Sequence, residues 1–206
     1  MSNDVFRKYE NKHEGKRVFL VANGPSLAET NLNLLKNEIT IAMNRVSLIY
    51  DKNPDWRPTY YLFSSTNVRH PSWGPAWTES VRRSVSEPTT TSFIAKMFKP
   101  TIDPNDNFSQ INWFDSMTEN KPSPSGDITN DPNHFDKSYR ADIPQEKVYK
   151  INHQMRNVHS LAYKKFLERD KNIKFYNASL RTFLDVYPII NFEKYLSDNE
   201  VIIEES

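Results

Sequence analysis

The chain has 206 residues, with 27 Lys and Arg against 26 Asp and Glu, no cysteine, 4 glycines and 13 prolines. That length supplies one domain with a real core, and the balanced charge excludes the basic footprint of a nucleic-acid binder. Disulfides and thiolate metal sites are excluded as well. The expected localisation is cytoplasmic, with no membrane span, because no apolar run approaches spanning length and no signal-peptide core is present.

Residues 1–16 are charged and predict a flexible extension, frayed or weakly helical. Residues 17–197 then form a single α/β domain, and 198–206 a tail. The first strand is Val18–Ala22, an apolar run that stops at Asn23-Gly24-Pro25-Ser26. Gly24 lets a backbone approach a ligand or take positive φ. Pro25 presets a helical first turn, and Ser26 is able to bond its free N–H groups. Such a helix start attracts phosphate. The tetrapeptide alone fits an ordinary strand–turn equally well.

Leu27, Leu32, Leu34 and Leu35 predict a short, broken helix, and Ile39–Met43 a second strand ending at Asn44. Val46, Leu48, Ile49 and Tyr50 sit on a short helix; Pro54 and Pro58 bracket a loop. Thr59–Phe63 is the third strand, ending in Ser64-Ser65-Thr66-Asn67. Trp73-Gly74-Pro75 reads as a turn, Thr78–Ser86 as a helix, Thr89–Ala95 as a fourth strand and Phe108–Phe114 as a candidate fifth. Arg82-Arg83 and Lys164-Lys165 read as solvated helix faces.

Strands alternating with short helices predict a parallel sheet. Carboxyl ends of parallel strands share one edge, so Asn23, Asn44 and Ser64 should converge there. Asparagine offers a donor and an acceptor without charge, which suits a nucleotide or a sugar.

Residues 115–141 are rich in Pro, Asp, Asn and Ser and predict a long loop. After it comes the clearest helix, with Asp142 as cap and Gln145 in the capping-box position. Val148, Ile151, Met155, Val158, Ala162 and Phe166 form one apolar stripe down to about Arg169. His159 lies at the edge of that stripe as a boundary histidine. Ile173–Tyr176 predicts a further strand, and Phe192–Leu196 a short terminal helix.

Val18-Phe19-Leu20-Val21-Ala22-Asn23-Gly24-Pro25-Ser26-Leu27, followed by a second strand ending in Asn44, resembles the opening of two related groups. One is the bacterial sialyltransferases that use CMP-sialic acid. The other is the broad family named after archaeal 6-hydroxymethylpterin diphosphokinases. Asp131-Pro132-Asn133-His134-Phe135 with Tyr139 is similar to a motif of some members of the second group. So are Ile173-Lys174-Phe175-Tyr176-Asn177-Ala178-Ser179 and Leu184-Asp185-Val186-Tyr187-Pro188 with Phe192. The resemblance covers residues 16–68 and 127–197.

The chain departs from that pattern in two ways. Nothing between Asp115 and Asp131 reads as the central helix and strand that precede the motif, so the chain looks like a shortened member. Ser64-Ser65 stand where the diphosphokinase-like pattern favours an acid, and kinase chemistry needs Mg²⁺ held by carboxylates.

The resemblance implies a Rossmann-like, sialyltransferase-like nucleotide-binding domain acting as a glycosyltransferase on a nucleotide-activated, CMP-like sugar donor. The donor is a co-substrate, and no cofactor or metal is expected. The partners are that nucleotide-sugar and a glycan or small-molecule acceptor. Asn23, Gly24, Pro25, Ser26, Asn44 and Ser64 are the nucleotide-binding candidates. His134 is the candidate base, by its place in the motif and its titration near neutrality; pinning the loop is its alternative role. Tyr139 and Arg140 are candidates to stabilise the leaving phosphate. Asp131, Asp136 and Asp142 are Mg²⁺ candidates under a diphosphokinase-like alternative, although Asp in such a loop is ordinarily turn chemistry. A third reading is a non-catalytic domain that keeps a nucleotide pocket. Trp56, Trp73, Trp77 and Trp113 offer a sugar platform or, more commonly, packing.

Overall fold

Five short runs rich in β-branched and aromatic residues pair as strands: β1 (Val18–Val21), β2 (Ile39–Met43), β3 (Tyr60–Phe63), β4 (Thr91–Ala95) and β5 (Asn112–Phe114). They form one parallel sheet in the order β1-β2-β3-β4-β5, so the fold is α/β as expected. The computed structural model describes residues 4–115, 145–179 and 184–198, the side chains of 66, 145–155 and 198 apart.

The register decides what each face of the sheet carries. Val21 pairs with Ala42, Ala42 with Tyr61, and Phe63 with Ile94. These residues join Leu27, Leu32, Leu35, Val46, Ile49, Val81 and Phe98 of the connecting segments in one buried cluster. All the strand-to-strand connections therefore cover the same face.

The connections are tight. Two 3₁₀ turns, Pro25–Glu29 and Leu32–Leu35, follow β1, and a third, Val46–Ile49, follows β2. Helix α1 (Gly74–Val85) joins β3 to β4, and a single helical turn, α2 (Lys99–Ile102), joins β4 to β5.

Helix α1 starts earlier than the expected Thr78, because Gly74 and Pro75 open the helix instead of forming a separate turn. Proline in a first helical turn donates no needed hydrogen bond. Trp77, Val81 and Val85 recur every fourth residue and are buried. Ser47 donates to the Ser80 carbonyl at 2.8 Å, tying α1 to the turn after β2. Gly74 is required by close approach: a Cβ there would lie 2.6 Å from the Val68 carbonyl oxygen.

A parallel sheet ordinarily needs cover on both faces. The second face is met by the N-terminal segment, a 3₁₀ turn over Asp4–Tyr9. Phe6 stacks on Phe93 at 5.0 Å, Tyr9 meets Phe93 edge-on at 5.1 Å, and His13 Nε2 lies 2.5 Å from the Tyr60 hydroxyl. The charged composition predicts fraying here; these aromatic contacts tie the segment to the sheet. Towards β1 the same face is barer, and Leu20 is 59 % exposed.

Helix α3 (Gln145–Arg169) and helix α4 (Phe192–Asp198) complete the described elements. The expected apolar stripe of α3 does not pack as a whole in its described part: Val158 is 67 % exposed. Within the stripe Phe166 does pack, against Phe175, and Tyr163 beside it meets Phe175 and Tyr187. His159 Nδ1 lies 3.0 Å from the Tyr187 hydroxyl, the satisfied boundary role expected of it.

The expected strand at Ile173–Tyr176 does not form. One isolated parallel bridge, Asn177 to Ile189, stands nearby, and Phe175 is used against α3 rather than in a sheet. Helix α4 packs on β1, with Phe192 edge-on to Phe19 at 6.2 Å. Arg17 lies 5.5 Å from the Tyr195 ring and bridges to Glu38 at 2.9 Å.

Two outcomes follow from this packing. Gly74→Ala should destabilise the fold by about 1–3 kcal/mol through overpacking against backbone, measured by urea denaturation; an unchanged midpoint would show that the helix start yields freely. Burial pushes the Tyr50 hydroxyl up to about 12, against about 10 in an unfolded chain. Between those values the unfolded chain has lost the proton and the folded one keeps it, so stability falls as pH rises. The loss should reach about 2–3 kcal/mol by pH 12. Alkaline unfolding followed by circular dichroism checks this, and Tyr50→Phe should flatten the dependence.

Candidate functional site

Because all five strands run the same way, their carboxyl ends lie along one edge of the sheet. The strand order runs through without a reversal among the described strands, so the edge has no switch-point crevice there of the kind open α/β sheets often use. The shared edge must supply the site by itself.

That edge carries Asn23 and Gly24 after β1, Asn44 and Arg45 after β2, and Ser64 and Ser65 after β3. These ends are laced together. Asn23 Nδ2 donates to the Met43 carbonyl at 3.2 Å, the Asn44 N–H donates to the Leu62 carbonyl at 3.2 Å, and the Tyr61 hydroxyl donates to the Asn44 carbonyl at 2.5 Å. Asn23 and Asn44 therefore stand on adjacent strand ends, and Ser64 follows the third. The convergence expected from the sequence holds for these strand ends.

The turns differ from expectation. Gly24 has φ −67° and ψ 162°, an ordinary extended conformation, so positive φ is not its role. A Cβ at Gly24 would meet nothing within 4 Å, so the turn is open rather than sealed. The left-handed residue is Asn44, at φ 56°. Asparagine tolerates that conformation better than other non-glycine residues.

The expected phosphate-attracting helix start is also altered. Pro25 and Ser26 begin a 3₁₀ turn of 5 residues, Pro25–Glu29, and no side chain caps it. So short a turn lacks the aligned peptide dipoles of an α-helix. Ser26 takes part through its carbonyl, which accepts from Thr30 Oγ1 at 3.0 Å.

Two features of the edge escape sequence reasoning. Arg45 is only 6 % exposed, with its guanidinium 5.7 Å from the centroid of the Trp77 ring. Its signal was a charge set directly between a strand end and an apolar turn. The other is the burial of Asn23, 8 % exposed, whose Oδ1 has no hydrogen-bond partner among the described residues. Along the same edge, Lys96 after β4 pairs with Asp115 after β5 at 3.1 Å.

His134, Tyr139 and Arg140 lie outside the described residues, as do Asp131, Asp136 and Asp142. Among the described residues no group of three His, Asp or Glu side chains is arranged to hold a metal ion. Trp56, Trp73 and Trp77 are buried and serve as packing, which removes them as a sugar platform; Trp113 is half-buried. No described helix is long and apolar enough to cross a membrane. A cleft of about 240 Å³ beside the first 3₁₀ turn is lined by Ala28, Glu29, Thr30, Asn31, Lys52 and Asn53, away from the strand-end residues.

No family model matches the chain, and no curated protein or solved structure shows significant similarity to it.

The left-handed Asn44 gives a direct test of the edge. Asn44→Gly should fold with nearly unchanged stability, whereas Asn44→Val should lose about 1–2 kcal/mol to backbone strain, read by chemical denaturation. Equal stability of the two variants would mean that the turn is not held in this conformation.

Proposed function

We propose that this chain is a glycosyltransferase that takes its sugar from a nucleotide-activated, CMP-like donor. The observation that carries the reading is the pairing of two asparagines at adjacent parallel strand ends, joined through the Asn23–Met43 hydrogen bond beside the open Gly24 turn. Neutral amides and hydroxyls in such an array orient a polyhydroxylated ligand without holding a counter-ion. The resemblance of Val18–Leu27 and Asn44 to sialyltransferase-like openings supports the same reading.

In this reading Asn23, Gly24, Pro25, Ser26, Asn44 and Ser64 hold the donor. His134 takes the proton of the acceptor hydroxyl as its oxygen bonds to the anomeric carbon. The bond from that carbon to the phosphate oxygen breaks, and the nucleotide leaves with the electron pair. Tyr139 and Arg140 stabilise the charge that develops on it. The diphosphokinase-like alternative asks for a carboxylate at the end of the third strand, where this chain has Ser64-Ser65.

Thermal-shift measurements with CMP, UMP and ATP, each with Mg²⁺ and with a chelator, separate the readings. Saturating CMP should raise the melting temperature by about 5–10 °C with no metal required. A response confined to Mg²⁺–ATP would replace the proposal with phosphotransfer. Silence with every nucleotide would leave a non-catalytic domain. His134→Ala should keep the CMP response and lose turnover; full turnover would remove it as the base.

A further inference from the structure

The face of the sheet that the connections leave uncovered carries an apolar patch over β1 and β2. Register sets Val18 beside Ile39, Leu20 beside Ile41 and Met43 beside Leu62. Strand alternation puts these side chains opposite the buried Val21, Ala42 and Tyr61 of the core face. All are apolar. Val18 is 46 % exposed and Leu20 59 %, and the others are half-buried. Phe6 and Tyr9 of the N-terminal segment meet Tyr60 of β3 and Phe93 of β4, on the other half of the same face. A parallel sheet is ordinarily covered on both faces, and its usual cover is a helix.

Helix α3 has the opposite shortage. Tyr163 and Phe166 lie on Phe175, His159 reaches the Tyr187 hydroxyl, and Arg156 Nε pairs with Asp185 at 2.6 Å. These contacts fix the side of the helix that its own chain uses. Val158 and Leu161 are three residues apart and share a face. At 3.6 residues per turn that face points away from the side occupied by Arg156, His159 and Tyr163. Val158 is 67 % exposed and Leu161 56 %.

We infer that the chain forms a two-fold dimer in which the Val158–Leu161 face of α3 from each copy lies on the β1–β2 patch of the other. Each copy carries a sheet face that lacks a helix and a helix face that lacks a sheet, so two copies satisfy both. The reciprocal contact closes under two-fold symmetry and leaves neither surface over. A partner of another kind that laid a helix on the sheet would leave α3 unmatched. Burying both patches twice removes on the order of 1,000 Å² from water, the low end for a specific interface, so the pair should dissociate in the micromolar range.

Sedimentation equilibrium of the intact chain across that range tests the stoichiometry. The mass should rise with concentration to about twice the 24.2 kDa of one chain and stop there. Leu20→Glu and Leu161→Glu should each weaken the dimer about tenfold or more, because each sets a charge in the apolar contact. Both positions are exposed in the single chain, so circular dichroism should be unchanged.

Cross-linking tests which surfaces meet, and the chain has no cysteine to interfere. Leu20→Cys and Leu161→Cys, each on a differently tagged full-length chain, are mixed and treated with a short bis-maleimide. The two variants should join to each other in preference to either joining to itself. A single-chain mass at every concentration would overturn the inference. So would a dimer that withstands both glutamate variants, or one in which Leu20→Cys joins only to itself, which would set sheet against sheet. A mass that keeps growing with concentration would replace the closed pair with an open array.

Discussion

Everything in this domain follows from running five strands in the same direction. A parallel sheet cannot be closed by hairpins, so each strand must be followed by a connection that returns the chain to the opposite edge. Here the first two returns are built on 3₁₀ turns, where helices are more usual. They bury one face of the sheet around Trp56, Tyr61, Phe63 and Phe98. Consecutive strands are neighbours throughout, so all of that cover falls on one side. The opposite face then needs a source outside the connections, and Phe6 and Tyr9 from the N-terminal segment provide it over Tyr60 and Phe93.

The same constraint makes the site. Strand ends that share an edge bring their terminal side chains within reach of one another whatever the intervening sequence. What distinguishes this edge is that neutral amides stitch it. Asn23 reaches across to the β2 backbone, Asn44 bends left-handed under the Tyr61 hydroxyl, and its N–H returns to β3. Each contact ties one strand end to the next. A change at Asn23 or Asn44 is therefore felt in the geometry of the neighbouring strand ends.

Much of this architecture is legible in the sequence. Strand positions followed from short β-branched runs, and the convergence of Asn23 with Asn44 followed from the parallel assignment. What escaped notice has identifiable physical causes. Trp73-Gly74-Pro75 has the composition of a turn, yet Pro75 is compatible with a helical first turn and Gly74 with the near contact to Val68. The alternating apolar residues around Phe175 look like a strand, but they meet aromatic partners on α3 before finding an open sheet edge. The apolar periodicity of α3 marks a face without saying which strip a neighbour covers, and Tyr163 was overlooked because it carries a hydroxyl. Positive φ is one of two roles that propensity offers Gly24, but the left-handed residue is Asn44, whose N–H and carbonyl are both bonded to β3.

That the first connection holds 3₁₀ turns and no α-helix bears on where charge is handled. A long α-helix after β1 would bring peptide dipoles to the Gly24 turn and give an anion a natural seat. The 3₁₀ turn that stands there supplies little of that field, and the buried Oδ1 of the preceding Asn23 is itself an acceptor. Two tasks are thereby separated. On the glycosyl-transfer proposal, the rim built by β1 and β2 serves the neutral part of the donor, and stabilising the departing phosphate falls to hydroxyl and cationic side chains. In the glycosyl-transfer reading, Tyr139 and Arg140 carry that second task. The separation matches the chemistry, because a rim that gripped the phosphate in the ground state would favour the bound donor as much as the transition state and would add nothing to the rate of transfer.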